Sequence, residues 1–227
     1  MTSGIPKAAA SRQARRLALL AALVAATPSF AAQAEAAPDA AALVTRLRRD
    51  VPARTPYTEV RFSGLLERPL ILRGELEYLG PGRLGKRVDT PYREQTRVEN
   101  GAASVQRGDR PARTFSLGQA PELEGFLRGF AALLSGDAAT LAADFTLSAS
   151  GDAHAWQLVL KPRDERLARR VGEIRVDGSE RTPLCFVTRE GDGDVAVLLV
   201  DRLAAAKLPA RPSQPQLEAI CRGGATP

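Results

Sequence analysis

The chain has 227 residues, with 32 Lys+Arg against 26 Asp+Glu, one His, two Cys, one Trp, three Tyr and seven Phe. A single imidazole, with no His/Cys/Asp/Glu set at metal-ligand spacing, argues against a metal, a cofactor or a Ser-His-Asp triad. The net charge of +6 is no nucleic-acid footprint either, because residues 1–34 hold Lys7, Arg12, Arg15 and Arg16 and no acid, which leaves +2 on the other 193 residues.

Residues 1–34 read as a secretory leader: a charged opening, an apolar stretch from Leu17 to Ala26, and small residues that predict cleavage after Ala34. The apolar stretch is about ten residues, well short of the roughly 20 that span a bilayer. Residues 35–227 carry no linker or repeat and are expected to form one domain with a C-terminal tail.

The first predicted element is an amphipathic helix in "PDAAALVTRLRRD", opened by Pro38 and Asp39, with Leu43, Val44 and Leu47 on one face. Strands follow. Apolar residues alternate through Val60 and Phe62, through Leu72, Leu76 and Tyr78, through Phe115 and Leu117, and through Phe145 and Leu147. Turn signals at Pro81-Gly82, Asn100-Gly101, Gly108-Asp109, Ser150-Gly151-Asp152, Asp177-Gly178 and Gly191 to Asp194 separate them, a spacing that suits a large antiparallel sheet rather than βαβ units.

A helical hairpin interrupts the strands. "PELEGFLRGFAALLSGD" opens on Pro121 with early acids, carries Leu123, Phe126, Leu127, Phe130, Leu133 and Leu134 at helical spacing, and ends at Ser135-Gly136. Asp137 then suits the cap of a short second helix through Leu141. Gly125 and Gly129, one turn apart, mark a close approach by a neighbour. From periodicity alone the apolar face is that of a helix packed on a sheet.

"HAWQLVLKP" (154–162) holds the only His and the only Trp, with Trp156, Leu158 and Leu160 on one face of a strand and His154 beside the preceding turn. No G-x-S-x-G elbow accompanies His154, so it reads as an exposed strand-edge residue. The paired carboxylates Glu75/Glu77 and Asp164/Glu165 sit beside Arg73, Arg163 and Arg166, as on a solvated, salt-bridged face. Asp192 and Asp194 lack the other ligands of a calcium loop and suit a hairpin tip. Cys185 and Cys221 are candidates for a disulfide in an oxidising compartment; a reactive pair would lack its usual C-x-x-C spacing.

The order of these pieces resembles the LolA-like outer-membrane lipoprotein carriers, in particular a divergent LolA-like branch. The signature-like parts are Gly74-x-Leu76-x-Tyr78 followed by Pro81 and Leu84, the Leu134-Ser135-Gly136-Asp137 end of the helical insert, and Trp156-x-Leu158-x-Leu160-x-Pro162 leading to Ile174-x-Val176-x-Gly178. The resemblance spans roughly residues 40 to 200. It implies a mainly β fold with a helical lid, an unclosed β-barrel whose strongly curved antiparallel sheet is covered by α-helices around an apolar cavity for acyl chains.

The resemblance also implies a non-enzymatic, cofactor-free, monomeric carrier in the periplasm. It would shuttle an acylated lipoprotein or (glyco)lipid from an inner-membrane donor complex to an outer-membrane acceptor. The alternatives are a lipid-sensing or adaptor protein of an envelope export system, and an acyl hydrolase for which His154 leaves little room. By strand phase the expected lining is Val60, Phe62, Leu76, Tyr78, Phe115, Leu117, Trp156, Leu158 and Leu160, with lid contacts from Leu123, Phe126, Leu127 and Phe130. Arg61 and Arg73 are the candidates for a strand arginine that holds the lid shut.

Overall fold

The structure, a computed structural model, describes residues 38–223; the expected leader, residues 1–34, lies outside them. Eleven strands form one antiparallel sheet: β1 (Ala53–Phe62), β2 (Leu70–Gly80), β3 (Arg83–Thr90), β4 (Glu94–Glu99), β5 (Ala102–Arg107), β6 (Arg113–Ser116), β7 (Phe145–Gly151), β8 (Trp156–Pro162), β9 (Val171–Ser179), β10 (Thr182–Glu190) and β11 (Val195–Val200). Their spatial order is β6-β5-β4-β3-β2-β1-β11-β10-β9-β8-β7. Two meanders thus run outward from a central β1–β11 pair, and β6 and β7 are left as free edges, so the barrel is unclosed.

The connectivity explains the lid. The chain must pass from one edge, β6, to the other, β7, and it does so through α2 (Pro121–Ser135) and α3 (Ala138–Asp144), which cross one face of the sheet. As the sequence predicts, Pro121 lies in the first turn of α2, Gly136 ends it in the left-handed conformation, and the Asp137 side chain accepts from Thr140 N–H at 3.0 Å. Arg128 then ties α2 to α3 with two bonds to Asp144, both 2.8 Å. The close approach at Gly129 is to the ring of Phe145, which would collide with any added Cβ.

The N-terminal helix α1 (Ala40–Arg46) starts at Asp39, whose side chain accepts from Ala41 N–H, and buries Leu43 and Val44. With Leu47 these residues join Leu133, Leu141, Phe145, Trp156, Leu158, Leu160 and Val176 in the main core, between the helices and the β7–β9 side of the sheet. The other face of the central strands has its own cover. Val60, Cys185, Val187, Val197 and Leu199 pack under Leu217 and Ile220 of α5 (Gln214–Cys221), the segment read from sequence only as a tail. Cys185 and Cys221 form a disulfide, with Cα atoms 5.5 Å apart, that fastens α5 to β10.

Three local expectations change. Asp177-Gly178 is no turn: it lies within β9, where Gly178 faces Trp156 across the ladder and leaves room for the indole, and the chain reverses at Glu180 instead. Asp164 and Glu165 are exposed as expected but form no salt bridge among the described residues; Asp164 instead caps α4 (Glu165–Arg170) by accepting from Leu167 N–H at 2.8 Å. β1 begins at Ala53, seven residues before Val60, where the predicted alternation starts, and ends at Phe62.

Candidate functional site: a cavity under the helical lid

Between α2 and the sheet lies a cavity of about 700 Å³, within the ordinary range for ligand pockets. Along β1 its wall runs from Ala53 to Arg61, roughly 26 Å at the rise of an extended strand. The roof is the apolar stripe of α2: Leu123, Phe126, Leu127, Phe130 and Leu134. They fall at i, i+3, i+4, i+7 and i+11, which puts them on one side of the helix. The apolar floor facing them comes from six strands and includes Leu76, Tyr78, Leu84, Val98, Ile174, Phe186 and Leu198. Phe130 and Phe186 meet across the gap at 5.6 Å between ring centroids.

The lining expected from strand phase divides by position. Leu76, Tyr78, Leu123, Phe126, Leu127 and Phe130 are on the cavity wall. Trp156, Leu158 and Leu160 sit in the main core beneath the helices, and the Trp156 indole N–H donates to the Glu180 carbonyl at 3.0 Å. Leu117 is buried with Val98 and Ala103, next to Leu123 and Leu127 at the start of the lid. Phe115 is on the edge strand β6 and 39% exposed. Val60 and Phe62 pack on the opposite face with the disulfide cluster. His154 is exposed, and its backbone N–H donates to Asp152.

Phase on β1 is the reason for the last displacement. Thr58 and Val60 pair with Leu199 and Val197 and face the C-terminal cover, and the Thr58 hydroxyl donates to the Ala204 carbonyl at 2.7 Å. The cavity therefore receives the alternate set, Ala53, Thr55, Glu59 and Arg61, which from sequence looks like a solvent face. Of the two latch candidates, Arg61 is on the cavity wall, whereas Arg73 pairs opposite Thr58 and is exposed on the outer face, where it cannot reach the lid.

Glu59 and Lys86 were not anticipated from sequence. Glu59 is 5% exposed, accepts from Arg61 Nε at 2.7 Å and is also bonded by Lys86 Nζ. Lys86 reaches it from β3, its ammonium 5.2 Å from the centre of the Tyr57 ring. Burial pushes the Glu59 carboxyl up, but the charges of Lys86 and Arg61 outweigh burial and hold it below the usual carboxylate range. Burial and the neighbouring carboxylate of Asp192 push Glu190, further along the wall, the other way. The one available signal was an acid and two bases at inward positions of β1 and β3, two strands that β2 separates, visible only once register is known.

An unclosed sheet whose helical cover encloses an apolar cavity is the architecture of a carrier fold. Residues 31–224 match the family described as Outer membrane lipoprotein carrier protein LolA-like, and the chain belongs to that family, whose members are periplasmic carrier or binding proteins. No curated protein matches it. Among solved structures it is similar to the LolA superfamily protein NE2245 from Nitrosomonas europaea, at 12% identity and a TM-score of 0.41 over 76% of this chain and 96% of that one. It is also similar to LprF from Mycobacterium bovis, at 12% identity and a TM-score of 0.34 over 79% and 99% respectively.

Proposed function

We propose that this protein is a periplasmic carrier that takes the acyl chains of a lipoprotein or (glyco)lipid into the cavity under α2 and shuttles the cargo from the inner to the outer membrane. It works without a cofactor and as a monomer, loaded by an inner-membrane donor and emptied by an outer-membrane acceptor. The carrying observation is the α2 stripe facing the apolar floor across about 700 Å³. Acyl chains in water cost about 0.8 kcal/mol per CH₂ group, and a concave apolar lining removes that cost without any reactive residue. Export follows from the leader, with cleavage after Ala34.

Native mass spectrometry of the protein purified from periplasm without detergent tests the reading. A co-purified acylated species is expected, and Phe126→Glu or Leu127→Glu in the roof should lower its occupancy at least tenfold while the fold persists. A protein that is always empty, and that also fails to bind fluorescent lipid probes, is no acyl carrier. N-terminal sequencing of the same material should begin at Glu35.

A further inference from the structure

We propose that the polar stretch of the cavity around Glu59 is a headgroup site and that the cargo is an amphiphile with an anionic headgroup, seated on Arg61 and Lys86. The inference rests on the acyl-binding reading and adds a charge requirement to it.

Both cations keep donors that no described residue uses. Arg61 spends only its Nε on Glu59; its two terminal nitrogens make no hydrogen bond among the described residues. Lys86 has three N–H donors and gives one to Glu59. Both side chains retain access to the cavity, at 49% and 30% exposure, whereas the carboxylate that anchors them is 6% exposed. Two cations thus share one buried carboxylate and keep unused donors on a wall that faces the leucine and phenylalanine roof and also carries Glu190 and Asp192.

The outer face shows what a closed cluster looks like. There Glu218 accepts from Arg175, Arg189 and Gln214, and Arg175 also gives its Nε to Asp177. Its arginine is gripped by two carboxylates, and the one terminal nitrogen it leaves unused is buried, out of reach of an entering anion. Arg61 is not sealed, and an anion entering the cavity meets its free end.

Of the other wall carboxylates, Glu190 is near enough to Arg61 for each to feel the other's charge. Neither it nor Asp192 hydrogen-bonds to Arg61 among the described residues, so the guanidinium's terminal donors stay unused. Glu77 lies 3.2 Å from Arg54. Glu190 and Asp192 flank Gly191, whose N–H donates to the Arg170 carbonyl, so Arg169 and Arg170 occupy the same stretch of wall. A phosphate or carboxylate held by Arg61 and Lys86 would have its acyl chain directed along β1 toward Leu76 and Tyr78, under the stripe of α2.

The test is calorimetric titration of the protein with two amphiphiles that share an oleoyl chain, lysophosphatidate and monoolein, below their micelle concentrations. Wild type should bind lysophosphatidate at least tenfold more tightly, and the double variant Arg61→Gln/Lys86→Gln should bind both equally, at the wild-type affinity for monoolein. Glu59→Gln, which frees both cations, should tighten lysophosphatidate at least threefold, and it decides the matter if the double variant does not fold. Equal binding of the two amphiphiles by wild type, or no tightening in Glu59→Gln, overturns the headgroup site and leaves the acyl cavity standing. Failure of both amphiphiles to bind removes the acyl cavity and this site together. Inorganic phosphate should not compete at the same concentration; if it binds as tightly as lysophosphatidate, the site serves a free anion and the inference falls.

Discussion

The two faces of the central strands are built from the same alternating sequence and end in opposite states. On the outer face, Val60, Val187, Val197 and Leu199 meet Leu217 and Ile220, the side chains interlock, and a disulfide fixes the cover. On the inner face, the neighbouring residues of the same strands look across about 700 Å³ at a helix that touches them only in places. Apolarity does not separate a core from a cargo site; both faces have it. The difference is made by what covers each face. A short helix bonded to the sheet leaves no space, whereas a segment that must cross from one edge strand to the other leaves a gap beneath it.

The largest effect that tests this contrast is on the outer face. Replacing Cys185 and Cys221 together by Ser releases a crosslink over a sequence separation of 36, and the loop-closure account puts the loss at about 4 kcal/mol. Urea unfolding should show that loss. The folded variant should still bind lipid probes, because the cavity wall contains neither cysteine. Loss of probe binding in protein that is still folded would mean that the two faces are coupled.

Equal truncations on the two faces should separate stability from binding. Leu217→Ala removes a fully buried side chain from the outer cover and should cost about 3 kcal/mol with no change in probe affinity. Leu127→Ala removes a side chain that already borders open space, so it should cost under about 1 kcal/mol while weakening an acyl probe severalfold. Denaturant titration and probe binding on the same two preparations check both halves. The same pattern in both variants would abolish the distinction.

Much of the architecture follows from what is visible in the chain. Caps at Asp39 and Asp137, Pro121 at the start of α2 and Gly136 at its end are local chemistry and read correctly. The α2 stripe is also local, because helical periodicity names one apolar side and the lid uses that side. The strands are different. An alternating strand has two faces, and choosing the inner one requires knowing which partner covers the other. Val60 and Phe62 look like cavity residues until α5 is placed on them, and α5 reads as a tail until Cys221 is bonded to Cys185. Had that bond been imposed first, the phase of β10, and through register that of β11 and β1, would have followed. Glu59 and Lys86 are 27 positions apart and meet only through two ladders, so no local pattern announces them.

Each face also holds a carboxylate gripped by cations, Glu59 inside and Glu218 outside, and both are held below the usual carboxylate range. In each case burial acts the other way and is outweighed, by Lys86 and Arg61 at Glu59, and by the bonds from Gln214 and Arg175 with the arginine charges at Glu218. A carboxyl depressed in the folded state contributes stability above its unfolded pKa and loses it as pH falls through the folded value. Stability should therefore decline below about pH 4, near the unfolded pKa of glutamate. Glu59→Gln and Glu218→Gln should each flatten that acid limb in urea titrations at pH 7, 5 and 3. A limb as steep as wild type in both variants would remove these carboxylates as its cause.

The smallest expected effect belongs to Arg73, and it is informative because Arg61 and Arg73 are equivalent as sequence candidates for a latch. Arg73 is exposed on the outer face, opposite Thr58, and no ion pair or side-chain hydrogen bond involving it occurs among the described residues. Arg73→Ala should change stability by less than about 0.5 kcal/mol and leave probe affinity untouched. Arg61→Ala strips a cation from the buried Glu59, so it should destabilise measurably and alter binding as well. Equal, small effects from the two would indicate that Glu59 is held by Lys86 alone, whereas a large effect from Arg73 would place the strand phase of β2 in error. The pair is thus a direct assay of which side of the sheet each arginine occupies, since their chemistry is the same and only the face differs.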